Sequence, residues 1–268
     1  NNFIAEEYWT IEADLRAGRR KLLADYYGVK EKNKAKKVEL KTEKDADKVI
    51  NKVDKDNFTV DSVKKGKRSR KSPNPFTTST MQQESSRRIN FSTKKTMMVA
   101  QSLYEGVKLP KEGSVGLITY MRTDSTRISQ ESQNACLNFI EKSYGENYLG
   151  KKKAAVKKKT ENIQDAHECI RPTDVNKTPY SIKDSLSKDQ FKLYSLIWNR
   201  FVASLMANAI FDTISADIIS NLEIFRVSGS TLNFDGYLRV YDYNPEKAKE
   251  LPPLEEGQVL KLKDIQKE

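Results

Sequence analysis

Residues 116–129 read GLITYMRTDSTRIS. Tyr120 follows an apolar lead of Leu117 and Ile118. It precedes Arg122, Asp124 and four hydroxyl residues, Thr123, Ser125, Thr126 and Ser129. A free phenol has a pKa near ~10 and is a poor nucleophile at neutral pH unless cations or a base favour the phenolate. In an extended segment residues i and i+2 share a face, which sets the Arg122 guanidinium beside the phenol. Its fork of donors matches phosphoryl oxygens. Tyrosine and arginine beside a phosphodiester therefore have the parts for a covalent phosphotyrosine step. The alternative is a tyrosine that caps a core strand, with Arg122 its exposed neighbour.

The second candidate is His167, the single histidine of the chain, in DAHECIRPTD with Asp165, Glu168, Arg171 and Asp174 around it. Pro172 breaks any helix here, so the segment reads as a rigid polar loop or helix end. A protonated imidazole there could contact phosphate or assist proton transfer, whereas a structural histidine is the plainer reading. Arg87-Arg88 and Lys94-Lys95 stand at the boundaries of two helical segments before Tyr120. They are either solvated charge or contacts to a DNA backbone, the latter visible as steep salt dependence. Neither GxGxxG nor GxxxxGK[ST] occurs, no HExxH occurs, and Cys136 and Cys169 have no CxxC companion. Nucleotide-loop and zinc chemistry are thus not indicated, and no metal ligand is assigned.

These residues need elements to hold them. Helical patterns run over 78–90, with Thr78 or Ser79 as N-cap and Met81, Ser85 and Ile89 on one face. A second follows from Ser92 or Thr93, with a stripe of Met97, Ala100, Leu103 and Tyr104 and a left-handed stop at Gly106. A third, capped by Ser129, carries Ala135, Phe139 and Ile140 and stops at Gly145. The longest begins at Ser187, where Gln190 completes a capping box, and repeats Phe191, Tyr194, Ile197, Trp198, Phe201, Val202 and Leu205 at helical spacing. That stripe is core.

Both flanks read as β: EYWTIEADL and NFTVDSVKK before the helices, then FDTISADII, LEIFRVSGS, GYLRVYDY and GQVLKLKDI after them. Asp235-Gly236 marks a turn between two of these strands, and 45–53 forms a short helix. The basic stretch 64–75, KKGKRSRKSPNP, reads as a solvated linker or as a hinge whose charge also meets phosphate. The fold class is therefore α+β: a helical domain inserted into a β-rich domain, with crossings near 70–76 and 206–211 that would let the insert swing as a unit. The boundaries are 1–74 and 208–268 for the β-rich domain and 75–207 for the helical one.

The chain has 48 Lys and Arg against 37 Asp and Glu, a formal charge of +11 that favours an anionic partner, nucleic acid above all. Its 37% of apolar residues include twelve Tyr, ten Phe and two Trp, which is enough core material against 32% charged residues. No apolar run reaches the ~18 residues of a membrane span, and no signal peptide opens the chain. The start and stop read as arbitrary, so a fragment of a larger intracellular protein is expected.

Taken together, the motifs resemble the type IA DNA topoisomerases, and within them the bacterial enzymes. GLITYMRTDSTRIS is similar to that family's active-site signature almost residue for residue. DAHECIRPTDV is similar to its second signature, usually A-H-E-A-I-R-P, with Cys169 in place of an alanine. PFTTSTMQQESSRRINFSTKKTMMVAQSLYEG and KLYSLIWNRFVASLM resemble the segments leading into the tyrosine and following the histidine. The resemblance covers 75–210 closely and the β flanks more loosely.

It implies Tyr120 as the nucleophile that becomes linked to a 5′-phosphate, Arg122 on the scissile phosphate, and His167 as the histidine that bonds phosphate and assists. It implies positioning roles for Asp124, Thr119 and Thr123, and DNA contacts from Arg122, Arg87, Arg88, Lys94, Lys95 and Arg171. The implied isomerase relaxes negatively supercoiled DNA by single-strand cleavage, strand passage and religation. A helical domain of helix-turn-helix arrangement carries the tyrosine, and the β-rich domain is the hinge of the DNA gate.

The family's Mg²⁺ is held by acidic residues of a Toprim domain with no counterpart here, so those ligands are expected outside this chain. The GIGRPSTY-type segment of the single-strand-gripping domain and the zinc modules have no counterpart either. The implied partners are single-stranded or negatively supercoiled DNA and those missing domains, for a cytoplasmic, nucleoid-associated monomer that alone lacks relaxation activity. A tyrosine recombinase would place His-x-x-Arg before a late tyrosine; here His167-x-x-x-Arg171 follows Tyr120. The remaining alternative is a non-catalytic helix-turn-helix DNA-binding module.

Overall fold

The structure, a computed structural model, describes residues 4–150, 167–242 and 249–268. Asp165 of the second motif lies outside them. In chain order the elements are β1 (Ile11–Ala17), β2 (Arg20–Glu31), β3 (Lys34–Lys37), α1 (Glu43–Lys52), β4 (Phe58–Arg70), α2 (Thr78–Ile89) and α3 (Thr93–Glu105). There follow β5 (Val107–Leu109), β6 (Gly113–Val115), α4 (Gln130–Tyr144), α5 (Lys188–Ser204), β7 (Ala209–Ser220), β8 (Glu223–Phe234) and β9 (Val259–Lys267). This is an α+β chain in two compact units. One comprises Asn1–Arg68, Phe211–Asn233 and Glu246–Glu268; the other comprises Ser69–Ile210 and Phe234–Pro245.

The first unit is built on a sheet of order β1-β9-β4-β7-β8-β2-β3 in which β1 also pairs with β2. That added pairing closes six of the strands into a ring and leaves β3, paired only with β2, as the edge. Alternation along the strands fills the interior. Ile11, Ala13 and Leu15 of β1, Leu22 and Ala24 of β2, Phe58 and Val60 of β4, and Phe225 and Val227 of β8 are all buried. Two hairpins turn through paired left-handed residues, Lys32-Asn33 and Asn221-Leu222. The helix α1 opens on a capping box, Thr42 with Asp45, and buries Ala46 and Val49 against this core.

Three expectations change here. The basic residues 64–70 are not a linker but the second half of β4. Their backbone groups are satisfied by the sheet, and a ladder tolerates any side chain that faces solvent. The strands β2 and β3 were not expected at all; doubled Leu22-Leu23 and Tyr26-Tyr27 and a register shift between Tyr26 and Gly28 obscure the alternation of β2. Over its described residues 236–242 GYLRVYDY forms no strand; Gly236–Arg239 is a 3-10 turn. Gly236 has φ 50°, and a Cβ there would lie 2.4 Å from the Asn208 carbonyl oxygen, so the chain bends where a hairpin was expected.

The second unit holds four α-helices, α2 to α5, and the β5–β6 hairpin, with α2 and α3 packed on α5. Tyr194, Ile197, Trp198, Phe201, Val202 and Leu205 are buried as the helical spacing predicts, Phe191 is only half-buried, Leu193 is buried outside the predicted stripe, and the Ser187–Gln190 capping box forms. The cap of α2 is Thr77, with Thr80 closing the box, rather than Thr78 or Ser79. The stripe of α3 is Thr96, Val99, Ala100 and Leu103, while Tyr104 is exposed. On α4 the buried residues are Gln133, Cys136 and Ile140, and Ala135 faces out. Gly106 stops α3 at φ 133°, ψ 144°, which is not the left-handed helical conformation. Among the described residues no helix is long and apolar enough to cross a membrane.

Candidate active site

Everything described here lies in the second unit. After the β5–β6 hairpin the chain enters the core at Leu117 and Ile118, both 1% exposed. Gly116 makes this entry possible, because a Cβ there would stand 2.9 Å from the Tyr104 carbonyl oxygen. From that point the segment is extended without belonging to a regular strand. Its exposure alternates: Tyr120, Arg122 and Asp124 face outward, Met121 is fully buried and Thr123 is half-buried. The phenol is thus presented by a backbone anchored on both sides in apolar packing. Tyr120 is 47% exposed, and its ring meets that of Tyr104 edge-on at 5.4 Å.

The second motif runs alongside the first. The Thr119 amide donates to the Arg171 carbonyl at 2.9 Å, and Thr119 Oγ1 donates to the Cys169 carbonyl at 2.7 Å. The Arg171 amide returns a bond to Thr119 Oγ1 at 3.0 Å, the Thr173 amide donates to the Leu117 carbonyl, and Ile118 bridges Pro172. At the far end the Cys169 amide donates to the Arg127 carbonyl at 2.9 Å. The two motifs, about fifty residues apart in sequence, are therefore zipped together by main-chain bonds. Cys169, where an alanine was expected, is wholly buried in this zip as a small hydrophobic residue.

The other side of the tyrosine segment is held by the start of α2. Thr78 Oγ1 donates to the Met121 carbonyl at 2.7 Å and accepts the Thr123 amide at 2.9 Å, and the Thr78 amide donates to the Thr123 carbonyl at 2.9 Å. Upstream, the Ile170 amide donates to the Phe76 carbonyl, so residues 76–78 touch both motifs. Sequence reading assigned Thr78 only a capping role. The signal that could have found it is the run of hydroxyl residues Thr77, Thr78, Ser79 and Thr80, one more than a cap requires.

His167 is exposed at the mouth of the second motif, and its carbonyl accepts from Arg127 Nε at 3.4 Å. Arg122 is exposed and makes no hydrogen bond, ion pair or ring contact among the described residues. Arg171 is placed otherwise. It is 9% exposed, and its guanidinium donates to Glu168 at 2.8 Å and to the Pro172 carbonyl at 3.1 Å. Glu168 also accepts the Ser129 amide at 2.6 Å. Burial alone would raise the Glu168 carboxyl, but the Arg171 and Ser129 bonds outweigh it and hold its pKa below the usual range. Glu168 and Arg171 thus tie the second motif to the cap of α4.

Arg87 and Arg88 converge on Glu84, at 2.8 and 3.6 Å, and Arg88 also lies over the Tyr241 ring at 4.2 Å. Arg200 stands 3.7 Å from the same carboxylate, and the Tyr241 hydroxyl donates to it at 2.6 Å. Lys95 pairs with Asp189 at 3.3 Å and lies over the Phe91 ring, while Lys94 is exposed. Of the basic residues expected at DNA, Arg122 and Lys94 point most plainly to solvent.

Among the described residues no group of three or more His, Cys, Asp or Glu side chains gathers as metal donors. Near the tyrosine, Glu168 is already committed to Arg171 and Ser129. The described residues do not fit a magnesium site.

A family model described as DNA topoisomerase matches residues 1–268. The chain is also similar to the full-length topoisomerase I of Thermotoga maritima, solved in a monoclinic crystal form, with 33% identity and a TM-score of 0.71. That match covers 99% of this chain and 41% of the Thermotoga chain, so the sequence spans less than half the length of that protein. With the whole sequence matched, the chain belongs to the type IA DNA topoisomerase family.

Proposed function

We propose that this chain is the part of a bacterial topoisomerase I that carries the cleaving tyrosine, acting on single-stranded stretches of negatively supercoiled DNA. The observation that carries the reading is the presentation of Tyr120. It is a half-exposed phenol on a segment locked by Thr119 on one side and Thr78 on the other, followed by outward-facing Arg122. In the step proposed, Tyr120 Oη attacks phosphorus in line. The Oη–P bond forms as the P–O3′ bond breaks, the phenolic proton leaves, and the departing 3′ oxygen takes up a proton. The product is a 5′-phosphotyrosine and a free 3′ hydroxyl, and religation is the reverse.

Arg122 is assigned the charge that grows on the phosphoryl oxygens. His167, across the zip, is assigned to phosphate contact and proton transfer. Thr119, Thr123 and Asp124 are assigned positioning. Arg171, held by Glu168, acts on this reading through the loop it braces, and Arg87, Arg88, Lys94 and Lys95 contribute longer-range attraction for the backbone.

The phenol has no hydrogen-bonded base among the described residues. On this reading the groups that activate it, including the acidic ligands of Mg²⁺, belong to other segments of the parent protein, and the chain alone is inactive. The test mixes the chain with those segments, Mg²⁺ and end-labelled single-stranded DNA, and follows the label on denaturing gels. A protein-linked label is expected with the wild type and lost with Tyr120→Phe. An adduct that persists in Tyr120→Phe would place the nucleophile elsewhere.

A further inference from the structure

The cleavage site leaves unexplained the most concentrated basic tract of the chain, Lys64-Lys65-Gly66-Lys67-Arg68. It forms the second half of β4, in the ring-shaped unit. Phe58 and Val60 are buried and Val63 still packs against the core, whereas residues 64–69 are all exposed, so cations take over where the strand was apolar a few residues earlier. Here the surface is concave. A groove of about 590 Å³ is lined by Lys64, Lys65, Arg68 and Lys249, by the hydroxyls of Thr213, Ser215, Ser228 and Ser230, and by two glycines. Among the described residues no carboxylate lines it.

The groove is constructed rather than incidental. Gly229 lets the segment around Lys249 lie directly on β8: a Cβ there would stand 2.5 Å from the Lys249 carbonyl oxygen and 2.6 Å from Leu251 Cγ. The Ser230 amide then donates to that same carbonyl at 3.1 Å. Gly66 faces Thr213 Oγ1 at 3.2 Å from its own would-be Cβ, which keeps the floor low. Arg68 is steadied over the Phe211 ring at 5.0 Å. Four cations facing one cavity repel one another, and an anion bound between them relieves that repulsion. Hydroxyl-bearing walls and four cations suit a chain of phosphates.

We propose that this groove on β4, β7 and β8 binds the phosphodiester backbone of DNA, as a second DNA contact separate from the tyrosine. The inference rests on the reading that DNA is the substrate. It predicts binding without sequence preference, because phosphate contacts carry none.

The test measures fluorescence anisotropy of the full chain with a labelled single-stranded oligonucleotide across a salt series. The groove variant carries Lys64→Gln, Lys65→Gln and Lys249→Gln. A charge-matched control carries Lys34→Gln, Lys55→Gln and Lys261→Gln, three exposed lysines outside the groove. Thermal melting confirms that both remain folded. Loss of three phosphate contacts should lower the slope of log affinity against log salt by about 2, to the same extent for oligonucleotides of unrelated sequence. The control should keep at least most of the wild-type slope.

Equal slopes for the groove variant and the control, or a wild-type chain that binds no DNA, would overturn the proposal. The tyrosine reading is judged separately by adduct formation on short single strands. A groove variant with the lowered slope and an undiminished adduct supports both. A lowered slope with no adduct in any protein leaves the groove standing and removes the cleavage reading.

Discussion

At the scale of single residues, Thr78 has the largest consequence for its size. Its side chain and backbone make four hydrogen bonds to the main chain of residues 121–123, on either side of Arg122. Substituting valine keeps the shape and removes the hydroxyl. The half-buried Thr123 amide then loses its acceptor, and leaving such a group unpaired costs about 1–3 kcal/mol. If Thr78 positions the cleaving segment, Thr78→Val should slow adduct formation by roughly tenfold to a hundredfold, while leaving the affinity for uncleaved DNA unchanged. Thr78→Ser should restore the rate. A variant that loses affinity and rate in equal proportion, or that serine fails to rescue, would show that Thr78 acts on folding alone. The residue was readable as a helix cap; its hold on Arg122 was not, since no local pattern marks which distant carbonyl a threonine reaches.

At the scale of elements, α2 joins the cleaving segment to the rest of its unit, and Glu84 fixes α2 in place. This carboxylate is 8% exposed and receives Arg87, Arg88, Arg200 and the Tyr241 hydroxyl. Burial would raise its pKa, but the bonds from Arg87 and Tyr241 and the surrounding guanidinium charges win, and the value is lowered. Because the folded pKa lies below that of an unfolded glutamate, the stabilisation is fully present above about pH 4.3. It is lost as pH falls through the lower, folded value. Glu168, also lowered, adds to the same acid-side loss.

Glu84→Ala should cost about 3–5 kcal/mol, because it leaves the buried Arg200 without this counter-charge. Glu84→Gln should flatten the dependence of melting temperature on pH between pH 3 and 5, a window set by the carboxylate reference value. An unchanged pH profile in Glu84→Gln would remove Glu84 from this role.

The same elements show what sequence conveys. The Ser187–Gln190 box and the seven-residue stripe of α5 were legible because cap and period agree in one segment. Likewise the alternation of β1 and β9 identified them. By contrast β2 escaped because doubled residues and a bulge break its period. Residues 64–70 escaped because charge obscures a strand whose side chains, up to Ser69, face solvent, and 236–242 misled because alternation also fits a segment bent by Gly236. At the site, Tyr120 and His167 stood out by type and by signature. Their zipping through Thr119, Cys169 and Arg171 depends on main-chain bonds, and on a Thr119 hydroxyl whose distant main-chain partners no local pattern encodes.

At the scale of the whole molecule, the two units carry separate hydrophobic interiors. The cluster that includes Leu15, Leu22, Phe58, Ile218, Phe225 and Leu260 draws every member from the first unit. Phe76, Met81, Leu103, Ile140, Ile197 and Phe201 are buried in the second. A core that closes on residues of its own unit can unfold without breaking the other, so the chain should not melt as one cooperative block. Calorimetry of the wild type should resolve two transitions. Phe58→Ala removes a fully buried ring from the first core and Phe201→Ala one from the second, each at a cost of about 3–5 kcal/mol. Each substitution should lower one transition and leave the other in place, whereas Tyr120→Phe, at an exposed position, should move neither. A single transition displaced alike by both core substitutions would mean that the two interiors unfold as one. In that case the cleaving tyrosine and the basic groove could not be assigned to independently stable bodies, and the separate effects predicted for the groove lysines and for Thr78 would have to be measured again against one shared unfolding equilibrium.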